Sequence, residues 1–163
     1  MRILKLAAIV CIGLTLAVGC KKDTPEESGN IRKISASSTT PLEDILKSYK
    51  GNVTLVSIWA TWCGPCKSAH EILEPLKDDT LKDVTFVYVT GTTSPEETWL
   101  EMIPNIRGYH YYITKEQMIK LLNDVDSGAY PTFLIIGRDG KIAKKYVGYS
   151  PEIPTELQKA LAE

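Results

Sequence analysis

The spacing of apolar residues changes repeatedly along the chain, and each change marks the boundary of an element. The stretch from Lys21 to Asn30 is polar, has no periodicity and cannot bury a core, so order is expected from near Ile31. Pro41-Leu42-Glu43-Asp44-Ile45-Leu46 carries apolar residues at helical spacing, with Thr39-Thr40 as cap candidates and Gly51-Asn52 as the stop. Val53 to Trp59 is β-branched and apolar, the pattern of a strand buried on both faces. A helix is predicted from about Cys63 to Leu76, with Ile72, Leu73 and Leu76 on its apolar stripe and Pro75 ending or kinking it. Val84 to Val89 is a second buried strand, which makes a right-handed crossover between two parallel strands. The segment Gly91 to Thr114 should hold a short helix from Pro95 to Ile103, then the aromatic run Tyr109-His110-Tyr111-Tyr112. That alternation fits a short strand with one packed face, and core packing of the insertion outweighs a partner-recognition rim. Lys115 to about Asn123 reads as a helix. Thr132 to Ile136 and Ile142 to Val147 read as antiparallel strands around the tight turn Arg138-Asp139-Gly140-Lys141. The closing helix carries Leu157, Ala160 and Leu161, with Pro151 and Pro154 blurring where it starts.

With 163 residues, 44% of them hydrophobic, the chain can build one core of ordinary size, so one folded domain is expected. The first residues stand apart from it. Arg2 and Lys5 precede an uncharged apolar run from Leu6 to Val18, shorter than the roughly 20 residues of a spanning helix, which reads as an export signal. Leu16-Ala17-Val18-Gly19-Cys20 resembles the lipobox of bacterial lipoproteins, with Ala17 where leucine is commoner. By that resemblance residues 1–19 form a lipoprotein signal peptide and Cys20 is acylated as the new N-terminus, ahead of a flexible tether over residues 20–33. More than one acyl chain is needed for stable membrane attachment. An ordinary cleavable signal with an incidental cysteine is the alternative. Removing residues 1–19, which hold two cations and no acid, takes the formal charge from -1 to -3. A slightly acidic chain with no basic stripe argues against a nucleic-acid partner.

Cysteine usage then becomes informative. Of four cysteines, Cys11 leaves with the signal and Cys20 carries lipid, so Cys63 and Cys66 remain. One closely spaced pair in an oxidising compartment, with no structural bridges beside it, points to chemistry rather than stapling. Trp62-Cys63-Gly64-Pro65-Cys66-Lys67 lies where a buried strand turns into a helix, which places Cys63 in the first helical turn. Unpaired N–H groups and the helix dipole there lower a thiol pKa from about 8.5 toward about 7. The thiolate attacks, and Cys66, two residues on, is near enough to resolve the mixed disulfide. Two other readings of the spacing stay open. Zinc would need two further ligands, for which the chain offers only His70 and His110 outside carboxylates. An inert structural disulfide would close almost no loop and stabilise little. A second element, Tyr130-Pro131-Thr132, opens the strand that begins at Thr132.

Together, Trp59-Ala60-Thr61-Trp62-Cys63-Gly64-Pro65-Cys66-Lys67, Tyr130-Pro131-Thr132 and Gly148 resemble thioredoxin over about residues 50 to 163. The export signal, tether and inserted segment resemble the membrane-tethered TlpA/ResA-like branch of that superfamily. The resemblance implies an α/β thioredoxin fold over residues 34–163, a central mixed β-sheet flanked by helices on both faces. It implies Cys63 as attacking and Cys66 as resolving cysteine, and a cis Pro131 packed against the pair. Tyr130 would pair its backbone with an extended substrate segment, with Trp62, Gly64 and Pro65 completing the substrate surface. Two departures stand out: Ser57 where thioredoxins carry a buried acid, and Ala69 where the tethered branch often carries glutamate. His70, one turn below Cys66 and nearly in line with Cys63 at about 100° per residue, is the replacement candidate for proton transfer. Lys67 is either a tuning charge or an ordinary solvated lysine. The expected activity is reduction of protein disulfides, without metal or organic cofactor, by a monomer fed by a membrane electron donor and held outside the cytoplasm by its lipid. The alternatives are a disulfide oxidant or isomerase, or a redox-inactive peptide-binding lipoprotein module.

Overall fold

The structure, a computed structural model, describes residues 30–163. The expected signal peptide, the expected acylation site Cys20 and most of the expected tether lie outside the described residues. Among the described residues no helix is long and apolar enough to cross a membrane.

Six strands form one sheet in the order β1-β4-β3-β2-β5-β6, with β1 at Ile31–Arg32, β2 at Thr54–Ile58, β3 at Thr85–Gly91, β4 at Tyr109–Ile113, β5 at Thr132–Ile136 and β6 at Ile142–Val147. The pairs β2–β3, β3–β4 and β1–β4 are parallel, while β5 runs antiparallel to both β2 and β6. The helices are α1 at Pro41–Leu46, α2 at Gly64–Leu73, α3 at Glu96–Met102, α4 at Lys115–Asp124 and α5 at Ile153–Ala162. The mixed sheet covered on both faces is the expected fold class.

β2 is buried at every position and alternates between two cores, as a central strand must. Leu55 and Trp59 pack with Ala69 and Leu73 of α2 and Ile153 and Leu157 of α5. Val56 and Ile58 pack on the other face with Ile45 of α1 and Met118 and Leu121 of α4. Ser57 therefore points to the α2 face, in register with Tyr88 of β3, which in turn pairs with His110 of β4. Helix α4 is closed by a capping box between Thr114 and Gln117.

Several expectations shift. Cys63 caps α2 rather than lying in its first turn, and the helix stops at Leu73, giving way to a 3₁₀ stretch, Glu74–Asp78, once Pro75 removes a donor. Ile72, expected on the apolar stripe, is 47% exposed, because α2 turns Ala69, His70 and Leu73 inward. Thr40 occupies the N-cap of α1 without a side-chain hydrogen bond. Strand β4 is packed on both faces rather than one: His110 and Tyr111 are both buried, since β3 and β1 flank it and both layers cover it. The turn after β5 is tight as expected, with Gly140 at φ +81.

Candidate active site

The two cysteines lie at the carboxyl end of β2, where the chain leaves the sheet and enters α2. They are joined in a disulfide with an S–S distance of 2.03 Å and Cα atoms 5.3 Å apart. Cys63 has extended backbone angles at the N-cap, and the backbone N–H of Cys66 donates to its Sγ at 3.1 Å. A capping side chain ordinarily offers oxygen to the first free N–H groups of a helix; here sulfur takes that place. The same donor would stabilise a thiolate on Cys63 after reduction. Cys63 retains 5% exposure and Cys66 none, so both are more enclosed than a motif at an open helix start suggests.

The rim of the site is aromatic. Trp62 is 59% exposed, yet its indole N–H donates to the Thr93 carbonyl at 3.1 Å and its ring meets Tyr130 edge-on at 5.7 Å. The Tyr130-Pro131 peptide bond is cis. The Pro131 carbonyl accepts the N–H of Gly148 at 2.8 Å, and Gly148 reaches that position at φ +83, a conformation natural to glycine. Thr132 braces the same turn, its hydroxyl donating to the Ala129 carbonyl at 2.8 Å and meeting Ser127 Oγ at 2.6 Å. Gly64 and Pro65 are exposed, and a Cβ on Gly64 would meet nothing within 4 Å. The space beside Gly64 is thus left open by the chain itself. Lys67 is exposed.

Beneath the pair lies a buried polar group. His70 is 3% exposed, its Nε2 is 3.3 Å from Ser57 Oγ, and its Nδ1 has no hydrogen-bond partner. Its ring is edge-on to both Trp59 and Tyr88, with centroids at 5.0 and 4.9 Å. Burial pushes its pKa down to about 3, with the Lys77 charge acting in the same direction. Ala69 is fully packed in the core. The two positions where an acid was missed thus hold apolar packing at Ala69 and a serine–histidine contact at Ser57. His110 lies on the far side of Tyr88, stacked at 5.1 Å, its Nε2 2.7 Å from the Ile106 carbonyl. Among the described residues no group of three or more histidines, cysteines and carboxylates could hold a metal ion.

Two contacts were not legible in sequence. The Thr93 carbonyl and the Ser94 hydroxyl come from the inserted segment, 31 and 33 residues beyond the partners they hold. No local pattern marks such a pairing. A hollow of about 370 Å³, lined by Leu42, Leu46 and Ile142 and by charged side chains such as Glu43, Lys47 and Asp124, lies by the Gly140 turn, at the opposite end of the sheet from the cysteines.

The description "Redoxin" attaches to the family model that matches residues 32–161. A thiol:disulfide interchange protein, CycY of Rhizobium leguminosarum bv. viciae, is 32% identical over 125 residues, covering 71% of this chain and 64% of that protein. The thiol-disulfide oxidoreductase ResA of Bacillus cereus is 25% identical over 109 residues, covering 63% of this chain and 59% of ResA. The chain therefore spans less than two thirds of the length of these curated relatives. Among solved structures, the exposed lipoprotein thioredoxin Etrx1 of Streptococcus pneumoniae superposes with a TM-score of 0.55 at 19% identity, covering 76% of this chain and 96% of that one.

Proposed function

The chain belongs to the Redoxin family, in its thioredoxin-like TlpA/ResA branch, and from that membership we propose a lipid-anchored, extracytoplasmic oxidoreductase that reduces protein disulfides. The observation that carries the reading is a cysteine disulfide at a helix N-cap, with the Cys66 amide already donating to Cys63 Sγ. In the reduced enzyme the Cys63 thiolate attacks a substrate disulfide, forming a mixed disulfide and releasing one substrate thiolate. Cys66 then loses its proton and attacks Cys63 Sγ. The substrate leaves as a dithiol, two electrons richer, and the pair is left as the disulfide seen here. A membrane electron donor returns it to the dithiol.

Substrate binding falls to the rim. The Tyr130 backbone beside Pro131 pairs with an extended segment, Trp62 packs on it, and the open space over Gly64 and Pro65 admits it to the sulfur. His70 is the candidate acceptor for the Cys66 proton, supported by its place one turn below Cys66, the contact with Ser57 and the unpaired Nδ1. Gly64-Pro65 resembles the reducing members of the superfamily, which sit near about -270 mV. The anchor at Cys20 rests on the lipobox resemblance, with the relative Etrx1 described as an exposed lipoprotein.

Trapping tests the reaction. Cys66→Ala should accumulate reducible adducts with extracytoplasmic proteins, because no internal thiol releases them, while Cys63→Ala should accumulate few. Equal adducts in both variants, or none where a control thioredoxin traps its targets, would overturn the assigned roles. For the anchor, wild type should partition into detergent and Cys20→Ala into water; both proteins in the aqueous phase would refute it.

A further inference from the structure

Ser94 is fully buried, and all of its polar atoms are engaged. Its Oγ accepts the backbone N–H of Thr61 at 3.0 Å and lies 3.0 Å from Thr90 Oγ1. Its N–H donates to the Gly91 carbonyl at 2.9 Å, and its carbonyl accepts the Tyr112 hydroxyl at 2.5 Å. One residue thus ties the end of β3 and strand β4 to the loop that leads into Cys63. Buried polar groups held this way cannot shift singly without leaving a partner unsatisfied. The adjacent residue contributes the second hold, the Thr93 carbonyl on the Trp62 indole at 3.1 Å.

An exposed tryptophan ordinarily samples several rotamers, and ordering it on binding costs affinity. Here the ring stands 59% exposed but is fixed at its nitrogen and braced by Tyr130. We propose that Ser94 is a positioning residue: its hydroxyl fixes the Thr61–Trp62 approach to Cys63 and, through the neighbouring Thr93 carbonyl, presets the Trp62 ring for extended protein segments. This deepens the oxidoreductase reading and rests on it for the substrate class. Ser94 touches no substrate. It acts through Trp62, so its effect grows with how much of the substrate reaches the rim.

The test compares a disulfide-bonded peptide with a small aromatic disulfide, using the reduced full-length protein, and reads the ratio of the two rate constants. Ser94→Ala should lower that ratio roughly 5- to 10-fold, the worth of one buried hydrogen bond. Trp62→Phe, which keeps a ring at an exposed position and removes only the indole donor, should lower it comparably, and the double variant should be no worse than the worse single one. Independently of any turnover, hydrogen exchange at the Trp62 indole should speed up in Ser94→Ala. Unchanged indole exchange, equal losses toward both disulfides, or fully multiplicative losses in the double variant would each overturn the proposal. If Ser94→Ala fails to fold, an unchanged ratio in Trp62→Phe does so. Should wild type exchange with neither disulfide, the oxidoreductase reading falls, while indole exchange still decides whether Ser94 holds the ring.

Discussion

Burial, more than any neighbouring charge, sets the chemistry of His70. The ring is enclosed by Trp59, Tyr88 and Ser57, and its pKa is pushed down to about 3. A base so weak holds a proton only briefly at neutral pH, so its contribution to resolution belongs at the low end of general acid–base catalysis. His70→Gln should slow single-turnover release of substrate from the mixed disulfide by up to about 10²-fold, while leaving formation of the mixed disulfide unchanged. Stopped-flow separation of the two phases checks this, and equal slowing of both would assign His70 to packing alone. The histidine was found in the sequence through its helical offset from Cys66. Its partner Ser57 was noted there only as a missing acid, because the contact depends on β2 presenting Ser57 to the α2 face.

At the scale of elements, the connection from α3 to β4 is fixed by Gly108 and by the 3₁₀ stretch after α2. A Cβ on Gly108 would sit 2.7 Å from the Phe86 carbonyl, at φ +147, where only glycine is at ease. Lys77, nearly buried, donates to Tyr88 Oη at 2.8 Å and the Arg107 carbonyl at 2.5 Å, and pairs with Glu74; Arg107 in turn binds Glu74 and Asp78. These contacts draw the 3₁₀ stretch after α2, strand β3 and the approach to β4 together around the histidines. Gly108→Ala should therefore cost about 2 kcal/mol or more, within the range of a strained backbone with a clash. A loss of unfolding free energy under about 0.5 kcal/mol would show that the turn can relax instead. The strands and helices here were legible because each carries a strong period: β5 and β6 fall at the residues expected, and the motif helix begins one residue after the expected Cys63. What could not be read was tertiary. Ile72 has the right offset for the stripe, but the face that α2 buries is chosen by Ala69 and His70. The both-sided burial of β4 depends on β1, a two-residue strand with no pattern of its own. Ser94 is a buried hub only because β3 ends beside the motif loop.

Across the molecule, the α2-side core carries polar groups in one register row, with Ser57, Tyr88 and His110 side by side on β2, β3 and β4 and His70 lying over them. Burial pushes the His110 pKa down to about 4, the hydrogen bond to Ile106 working the other way, and the His70 pKa down to about 3. Both values lie below the ordinary 6.5 of histidine. The unfolded chain therefore binds protons that the folded chain refuses, so stability is complete above about 6.5 and is lost as pH falls from there toward the folded values. Each histidine contributes a slope of at most about 1.4 kcal/mol per pH unit in that window. The carboxylates held low by partners, half-buried Asp44 by Lys47 and Ser38 and exposed Asp78 by Arg107, lose their contribution only as pH falls from about 3.8 toward lower values. The unfolding free energy from denaturant titration should thus fall by about a few kcal/mol between pH 6.5 and 4. His110→Gln should remove its share of the slope between about pH 6.5 and 4, and His70→Gln should remove its share over that same window and on down toward about 3. A stability curve that is level from pH 7 to 4.5, with its whole decline below, would mean that the acid transition belongs to surface carboxylates and that the buried row takes no part.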